Sequence, residues 1–193
     1  MIDSSVKSFK EIKKNCKLSV EGMAAYKLAV LGDCATQHLS QAIKGYAYEY
    51  SIAVNIFDAD YNQIMAQIMD DASELYAFAP EAVLIDMCSE KLYDAFREYD
   101  AENSKLDFAD YKISEIIGYW DILSKKGLKI LQFNFPEIDD RLYGNYGAVN
   151  EKSFIFQLRK LNLLLGQKAL EKGNVYIVDI SYIYVDPRMR LKR

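Results

Sequence analysis

Short runs of hydrophobic residues alternate along this chain with longer segments in which apolar positions recur at helical spacing. A short continuous apolar run is typical of a strand buried on both faces of a sheet. Gly32 closes the first of these runs, and Pro80 introduces the third. The runs predict five strands, at residues 27–31, 53–57, 82–87, 128–133 and 175–178.

The segments between the predicted strands carry a helical pattern. In residues 36–50, for example, Leu39, Ile43, Tyr46 and Tyr50 are spaced by three or four positions, so one face of a helix is apolar. Residues 88–107 form a polar and aromatic stretch in which the pattern predicts no element. Further helices are predicted at residues 8–16, 62–70, 108–126 and 151–172, with a turn near Glu21-Gly22.

This alternation of strand and helix is the pattern of βαβ units in a parallel sheet. Right-handed crossovers leave few topologies. We therefore predict an α/β fold: a three-layer α/β/α sandwich with a five-stranded, mostly parallel sheet in the flavodoxin-like order 2-1-3-4-5. Neither a repeat nor an internal boundary is visible, so residues 1–193 are expected to form a single domain, with residues 1–25 as an N-terminal extension.

Sheets of this type place their sites at the carboxyl ends of the strands, near the switch point between strands 1 and 3. Several polar residues and thiols occupy such positions in this chain. They are Asp33, Cys34, Asp58, Asp60, Cys88, Ser89, Asn134 and Asp179.

The charge and the hydropathy of the chain argue against nucleic acid and membrane as partners. The net charge is −4 and the pI is about 5.2, so no basic stripe is available to hold a nucleic-acid backbone. No apolar run approaches the roughly 20 residues of a membrane span, and the first residues lack the pattern of a signal peptide. We expect a cytoplasmic protein that binds neither nucleic acid nor membrane. The basic residues near the chain end are interpreted as a solvated tail: Arg188, Arg190, Lys192 and Arg193.

The small number of cysteines and their spacing are typical of a protein in a reducing compartment. The chain has only Cys16, Cys34 and Cys88, and their spacing matches no zinc site. Nucleotide-binding glycine motifs are also missing from the sequence. We therefore expect no cofactor and no metal.

The segment Gly32-Asp33-Cys34 carries the first chemical hypothesis. It lies where a strand passes into a helix, and the positive end of a helix lowers a thiol's pKa. His38, the single histidine, follows Cys34 by four residues, a spacing at which helical side chains can meet. A thiol beside an imidazole is a minimal activated nucleophile. The alternative is that Cys34 is a small buried filler and His38 a surface residue.

Two further features allow a functional or a structural interpretation. Asp58-Ala59-Asp60 has the spacing that opens a haloacid-dehalogenase-type phosphatase site, but Tyr61-Asn62-Gln63 lacks the expected continuation, and capping of the next helix is favoured. Asn134 could direct its amide at a developing oxyanion, yet before Phe135-Pro136 it is also suited to a turn.

Several of these segments together resemble a known family. The segment from Leu31 to Leu39 is similar to the first block of SGNH (GDSL-type) hydrolases. More specifically, it resembles the N-terminal SGNH-hydrolase-like domain of FkbH-like proteins, which belong to subfamily IIIC of the haloacid-dehalogenase-like (HAD) superfamily. Asp58 to Tyr61, Ser73 to Pro80, Val178-Asp179 and Asp186-Pro187-Arg188 also match this domain. The resemblance covers roughly residues 27–190.

The resemblance implies roles for individual residues. Cys34 takes the place of the SGNH serine, and Asn134 that of the third-block asparagine that helps to hold an oxyanion. The histidine of the fourth block is replaced by Tyr182, so the usual base is missing. Gly32, Asp33, Asp60, Asp179 and Tyr182 are expected to border the substrate.

The resemblance also implies partners and two functions. Members of the family usually continue into a HAD-like domain, absent from this chain, and load glyceryl units onto an acyl carrier protein. In the first function, Cys34 accepts an acyl group as a thioester, with Asn134 and His38 assisting. In the alternative, the domain is a non-catalytic docking module for the carrier protein or for the HAD-like domain.

Overall fold

A computed structural model describes residues 7–99, 105–138 and 142–181 of the chain. The five strands form one sheet in the order β2-β1-β3-β4-β5, and every neighbouring pair is parallel. The predicted topology is therefore confirmed. The strands are β1 (Ala24–Gly32), β2 (Ile52–Asp58), β3 (Ala82–Asp86), β4 (Lys129–Phe133) and β5 (Val175–Val178).

The first strand begins earlier than its apolar run. Ala24, Ala25 and Tyr26 pair with Ile52, Ala53 and Val54 of β2, although Ala24 and Ala25 are exposed. This part of β1 is exposed because β3 pairs with β1 only from Leu28 onward. Its residues are apolar, but Lys27 separates them from the buried run, and the prediction covers only residues 27–31.

The described chain has seven α-helices, two more than the pattern predicted. They are α1 (Phe9–Asn15), α2 (Gln37–Glu49), α3 (Ile64–Met69), α4 (Glu74–Phe78), α5 (Ser89–Glu98), α6 (Phe108–Lys125) and α7 (Phe154–Lys172). Helix α1 precedes β1, and the other six lie between strands. The unpredicted helices are α4, which has only five residues, and α5. Helix α5 does have an apolar face, formed by Leu92 and Phe96, but six of its ten residues are polar or charged and obscure it. None of the described helices is long and apolar enough to cross a membrane.

The core is divided by the sheet into two unequal parts. On one face, Ala29, Leu31 and Ile85 pack with the inner sides of α3 to α7 in a large cluster that includes Trp120. On the other face, Leu28, Val30, Ala82 and Leu84 pack with Leu39 and Ile43 of α2. Both faces of the central strands are therefore buried, and a site is expected at their carboxyl ends.

Helix α1 is part of this packing although it precedes the sheet. Ile12 is fully buried, and a Cβ atom built on Gly45 of α2 would lie 2.3 Å from the backbone oxygen of Ile12. Only a glycine allows this close approach of the two helices.

Candidate active site at the carboxyl ends of β1 and β3

The turn after β1 is built by Gly32, Thr36 and Asp58. A Cβ atom on Gly32 would lie 2.4 Å from Cγ2 of Thr36, so the turn requires a glycine. The Thr36 hydroxyl donates a hydrogen bond of 2.5 Å to Oδ1 of Asp58, which ends β2. Asp58 thus supports the turn that carries Cys34. The prediction that Asp58 and Asp60 cap the next helix is wrong, because α3 begins later and has Gln63 at its N-cap.

The loop after β2 crosses the end of β1. The backbone N–H of Ala59 donates to Val30, and that of Asn62 donates to Gly32. The side chain of Asp60 is exposed in this loop. The loop therefore holds the end of β1 at Gly32, and Asp60 lies on the solvent-exposed side of the loop.

The thiol of Cys34 contacts a carboxylate of the neighbouring strand. Its Sγ lies 3.6 Å from Oδ2 of Asp86, the last residue of β3. The register places Gly32 beside Asp86, and the N–H of Asp33 donates to the backbone oxygen of Asp86. Strand pairing, together with the turn that follows Gly32, therefore brings this thiol and this carboxylate together.

This environment raises the thiol's pKa instead of lowering it. The pKa of the Cys34 thiol is raised to about 12, mainly by burial and next by the negative charge of Asp86. The expectation of a lowered pKa is wrong because burial of the thiol, and after it the charge of the Asp86 carboxylate, disfavour the thiolate. Burial also raises the pKa of Asp86 above its ordinary value.

The only histidine lies in a different environment from the thiol. The His38 ring is exposed on α2 and packs edge-on against Phe9 of α1, with ring centroids 5.4 Å apart. Cys34 and His38 share no hydrogen bond in the described part of the chain. The predicted pair of thiol and imidazole is therefore not formed.

The side-chain amide of Asn134 is hydrogen-bonded to the residues that follow β5. Its Nδ2 donates to Oδ1 of Asp179 at 2.8 Å, and its Oδ1 accepts from the N–H groups of Ile180 and Ser181. These bonds engage both ends of the amide in holding the turn after β5. Tyr182, Asp186 and the basic residues of the predicted tail lie outside the described residues.

A cleft of about 300 Å³ opens beside the turn that carries Cys34. Its floor contains buried Asp33, Met87, Leu92 and Phe135. Oδ1 of Asp33 accepts a 2.8 Å hydrogen bond from the N–H of Cys88, and burial raises the pKa of the Asp33 carboxyl. The cleft therefore adjoins the residue that immediately precedes Cys34.

Two lysines line this cleft, and they differ in whether a carboxylate neutralises their charge. Lys112 forms a 2.9 Å ion pair with Glu115, which also accepts a hydrogen bond from the Tyr119 hydroxyl. Lys91 instead donates to the neutral amide oxygen of Asn62 and lies 4.0 Å from the Tyr61 ring centroid. Within the described residues, no carboxylate forms an ion pair with Lys91.

Comparison with known proteins identifies the family. The sequence model of the protein family described as FkbH, N-terminal domain, matches residues 27–187, which is most of the chain. The chain belongs to the FkbH N-terminal domain family. A search of curated proteins gives no significant match.

One solved structure extends this comparison. The chain is similar to the N-terminal part of the protein BF1531 from Bacteroides fragilis, described as containing a phosphatase domain complexed with Mg. The two share 31% sequence identity with a TM-score of 0.83, and the match covers 92% of this chain. It covers 46% of the other chain, so this FkbH N-terminal domain spans about half the length of that relative.

Sequence reasoning missed several residues of the site in this FkbH N-terminal domain. Asp86 ends an apolar strand, as Asp58 does. The predicted strand extends to Met87, however, so the sequence places Asp86 inside the strand and does not indicate it as a site residue. Lys91 was missed together with helix α5, and Lys112 was treated only as part of a helix. The described residues contain no cluster of histidine, cysteine and acidic side chains arranged to hold a metal ion.

Proposed function

We propose that this domain accepts an acyl group as a thioester on Cys34 and passes it to an acyl carrier protein, with Asp86 as the base. The contact between Cys34 Sγ and Asp86 Oδ2 carries the proposal. It supplies a proton acceptor for the nucleophile in a domain where Tyr182 stands in place of the family's histidine.

In the first step, the Cys34 sulfur attacks the carbonyl carbon of an activated acyl donor while its proton moves to Asp86. The donor's leaving group departs as the thioester forms and takes this proton from Asp86, which is a carboxylate again before the second step. In the second step, the carrier's thiol attacks this thioester and gives its proton to Asp86, and Cys34 leaves and takes that proton back. A thiol with a pKa of about 12 stays neutral until attack, so it needs such a base.

The energetics suit a thiol at this position. Exchange between two thioesters is nearly balanced in free energy, so the site needs only to remove the thiol proton at the right moment. The raised pKa of Asp86 makes its carboxylate a stronger base than an ordinary aspartate. The role given to His38 and the oxyanion role given to Asn134 receive no support from their contacts.

The test is to incubate the domain with a glyceryl-loaded carrier protein and to locate the acyl group by mass spectrometry. We expect the glyceryl mass on Cys34, none in Cys34→Ala, and a rate about 100-fold lower in Asp86→Asn because general-base catalysis is lost. Cys16→Ala, which removes an exposed thiol of another region, is the control. Undiminished transfer in Cys34→Ala would disprove the proposal.

A second candidate, a docking module, is favoured by one surface. A groove of about 610 Å³ between α7 and the edge strand β5 is lined by no charged side chain. Leu163, Leu170 and Tyr176 are exposed there, and β3 and β4 separate β5 from β1, which leads into Cys34. Carrier protein that binds the domain without ever acylating Cys34 would support this function over acyl transfer.

A further inference from the structure

We infer that two copies of this chain associate through the free edge of β5, so that their two five-stranded sheets join into one. The inference goes beyond the proposed function, because β3 and β4 separate β5 from the strand that leads into Cys34. It rests on the apolar surface on both faces of this edge, on the uncharged groove beside it, and on the direction of its backbone groups.

Apolar side chains at this edge are exposed on both faces of the sheet. On the face of α7, Leu163 and Leu170 line the groove described above, and Leu170 is 89% exposed. On the face of α2, Leu131 packs with the smaller core cluster, and the register pairs it with Tyr176, which is half exposed. Parallel sheets are normally covered on both faces, so the edge is suited to a partner that covers both faces at once.

The charges around this edge suit an identical copy. The groove at β5 is lined by no charged side chain of the described residues, and β5 itself is apolar. On the last two turns of α7, Lys168 pairs with Glu171 at 2.9 Å, and Lys172 pairs with Asp121 of α6. Two copies can therefore meet here without bringing like charges together. By contrast, Lys44 lines the groove beside β2, the other edge strand.

The backbone of β5 supplies the hydrogen-bonding groups for this contact. The backbone oxygens of Asn174 and Val178 accept hydrogen bonds from β4. Because these groups alternate in direction along a strand, those of Val175 and Ile177 point away from β4. If a second β5 pairs antiparallel, Val175 of each copy lies opposite Ile177 of the other, and each of these pairs exchanges two hydrogen bonds. The two-fold axis then passes beside Tyr176.

This arrangement places the exposed apolar groups of one copy against those of the other. The two Tyr176 rings meet across the axis on the face of α2, as a cross-strand aromatic pair. On the opposite face, Leu163 and Leu170 meet the second α7. The carboxyl ends of the two sheets point in opposite directions, so the site at Cys34 stays open in both copies. The second copy covers the groove that the docking candidate requires.

The first experiment is analytical ultracentrifugation of the full chain under reducing conditions. At about 100 µM protein we expect a species of twice 22.2 kDa. Tyr176→Lys should raise the dissociation constant about ten-fold or more, because two ammonium groups then face each other across the axis. Tyr50→Lys, the control, replaces a tyrosine of 63% exposure just before β2 and should leave the dimer intact. A monomeric wild type, or a dimer that Tyr176→Lys leaves intact, would overturn the inference.

A cross-linking experiment tests the register and stands even if Tyr176→Lys misfolds. Tyr176→Cys, made in a Cys16→Ala chain to remove an exposed thiol, should form a covalent dimer with oxidised glutathione. Opposed residues of a non-hydrogen-bonded pair have Cα atoms about 4.5 Å apart, within reach of a disulfide. Val178→Cys should not cross-link, because the two copies of residue 178 lie about 13 Å apart along the strands. Equal cross-linking of both variants, or none of either, would refute the pairing. Neither measurement depends on acylation of Cys34.

Discussion

The thiol of Cys34 lies in the turn after β1 and contacts the carboxylate of Asp86, the last residue of β3, which the parallel register pairs with Gly32. Each group changes the other's acid–base behaviour. Burial raises both pKa values, and the charge of Asp86 raises that of Cys34 further. We therefore expect the Cys34 thiol to react slowly with general thiol reagents at neutral pH.

Replacing Asp86 by asparagine should lower the pKa of the Cys34 thiol from about 12 part of the way toward the ordinary value of about 8.5. Burial remains in this variant, but the repulsion by the carboxylate is gone. The measurement is the pH dependence of alkylation at Cys34, followed by mass spectrometry, with Cys16 as the internal reference. An unchanged alkylation midpoint would show that Asp86 has no influence on the thiol.

Elements differ in how clearly their sequence predicts them. The buried run of β3 predicts its strand to within one residue, because burial on both faces leaves an apolar signal. Strand β4 is predicted equally well although Gln132 interrupts its apolar residues. Helix α5 was missed because its polar face carries most of its residues. The contact between Cys34 and Asp86 could not be predicted from spacing, since it depends on the register between two strands 52 residues apart.

The contact between α1 and α2 offers a test with a matched control. Gly45→Ala should destabilise the chain by about 1–3 kcal/mol, because the new methyl group overlaps the Ile12 backbone and α1 must move. Gly118→Ala in α6 adds the same methyl group at an exposed position with no atom within 4 Å. It should stabilise the chain by about 0.5–1 kcal/mol through helix propensity. Urea unfolding of both variants measures the difference, and equal effects would contradict the close packing.

The stability of the complete fold should respond to alkaline pH. Cys34 and Tyr119 both have pKa values raised to about 12, in each case first by burial and then by a neighbouring carboxylate. The unfolded chain releases these protons near pH 8.5 and 10, respectively. Below those values the stabilisation is complete, and it is lost as the pH rises through about 12.

We therefore expect the free energy of unfolding to fall between pH 8 and pH 10.5. The fall should be smaller in Cys34→Ala, because one of the two groups no longer titrates. Urea unfolding at both pH values provides the measurement, and Cys16→Ala is the reference for removing a thiol elsewhere. A Cys34→Ala chain that loses as much stability as the wild type would show that Cys34 does not contribute to the effect.

The early start of β1 has a practical consequence for anyone who divides this protein into fragments. The similarity to the family begins at residue 27, in the middle of a strand that pairs with β2 from Ala24 onward. A fragment cut at this point would lose three rungs of the sheet and the helix whose Ile12 covers Gly45. The unit that folds therefore starts before the residues that the family model matches, and expression trials should retain the residues from Lys7 onward.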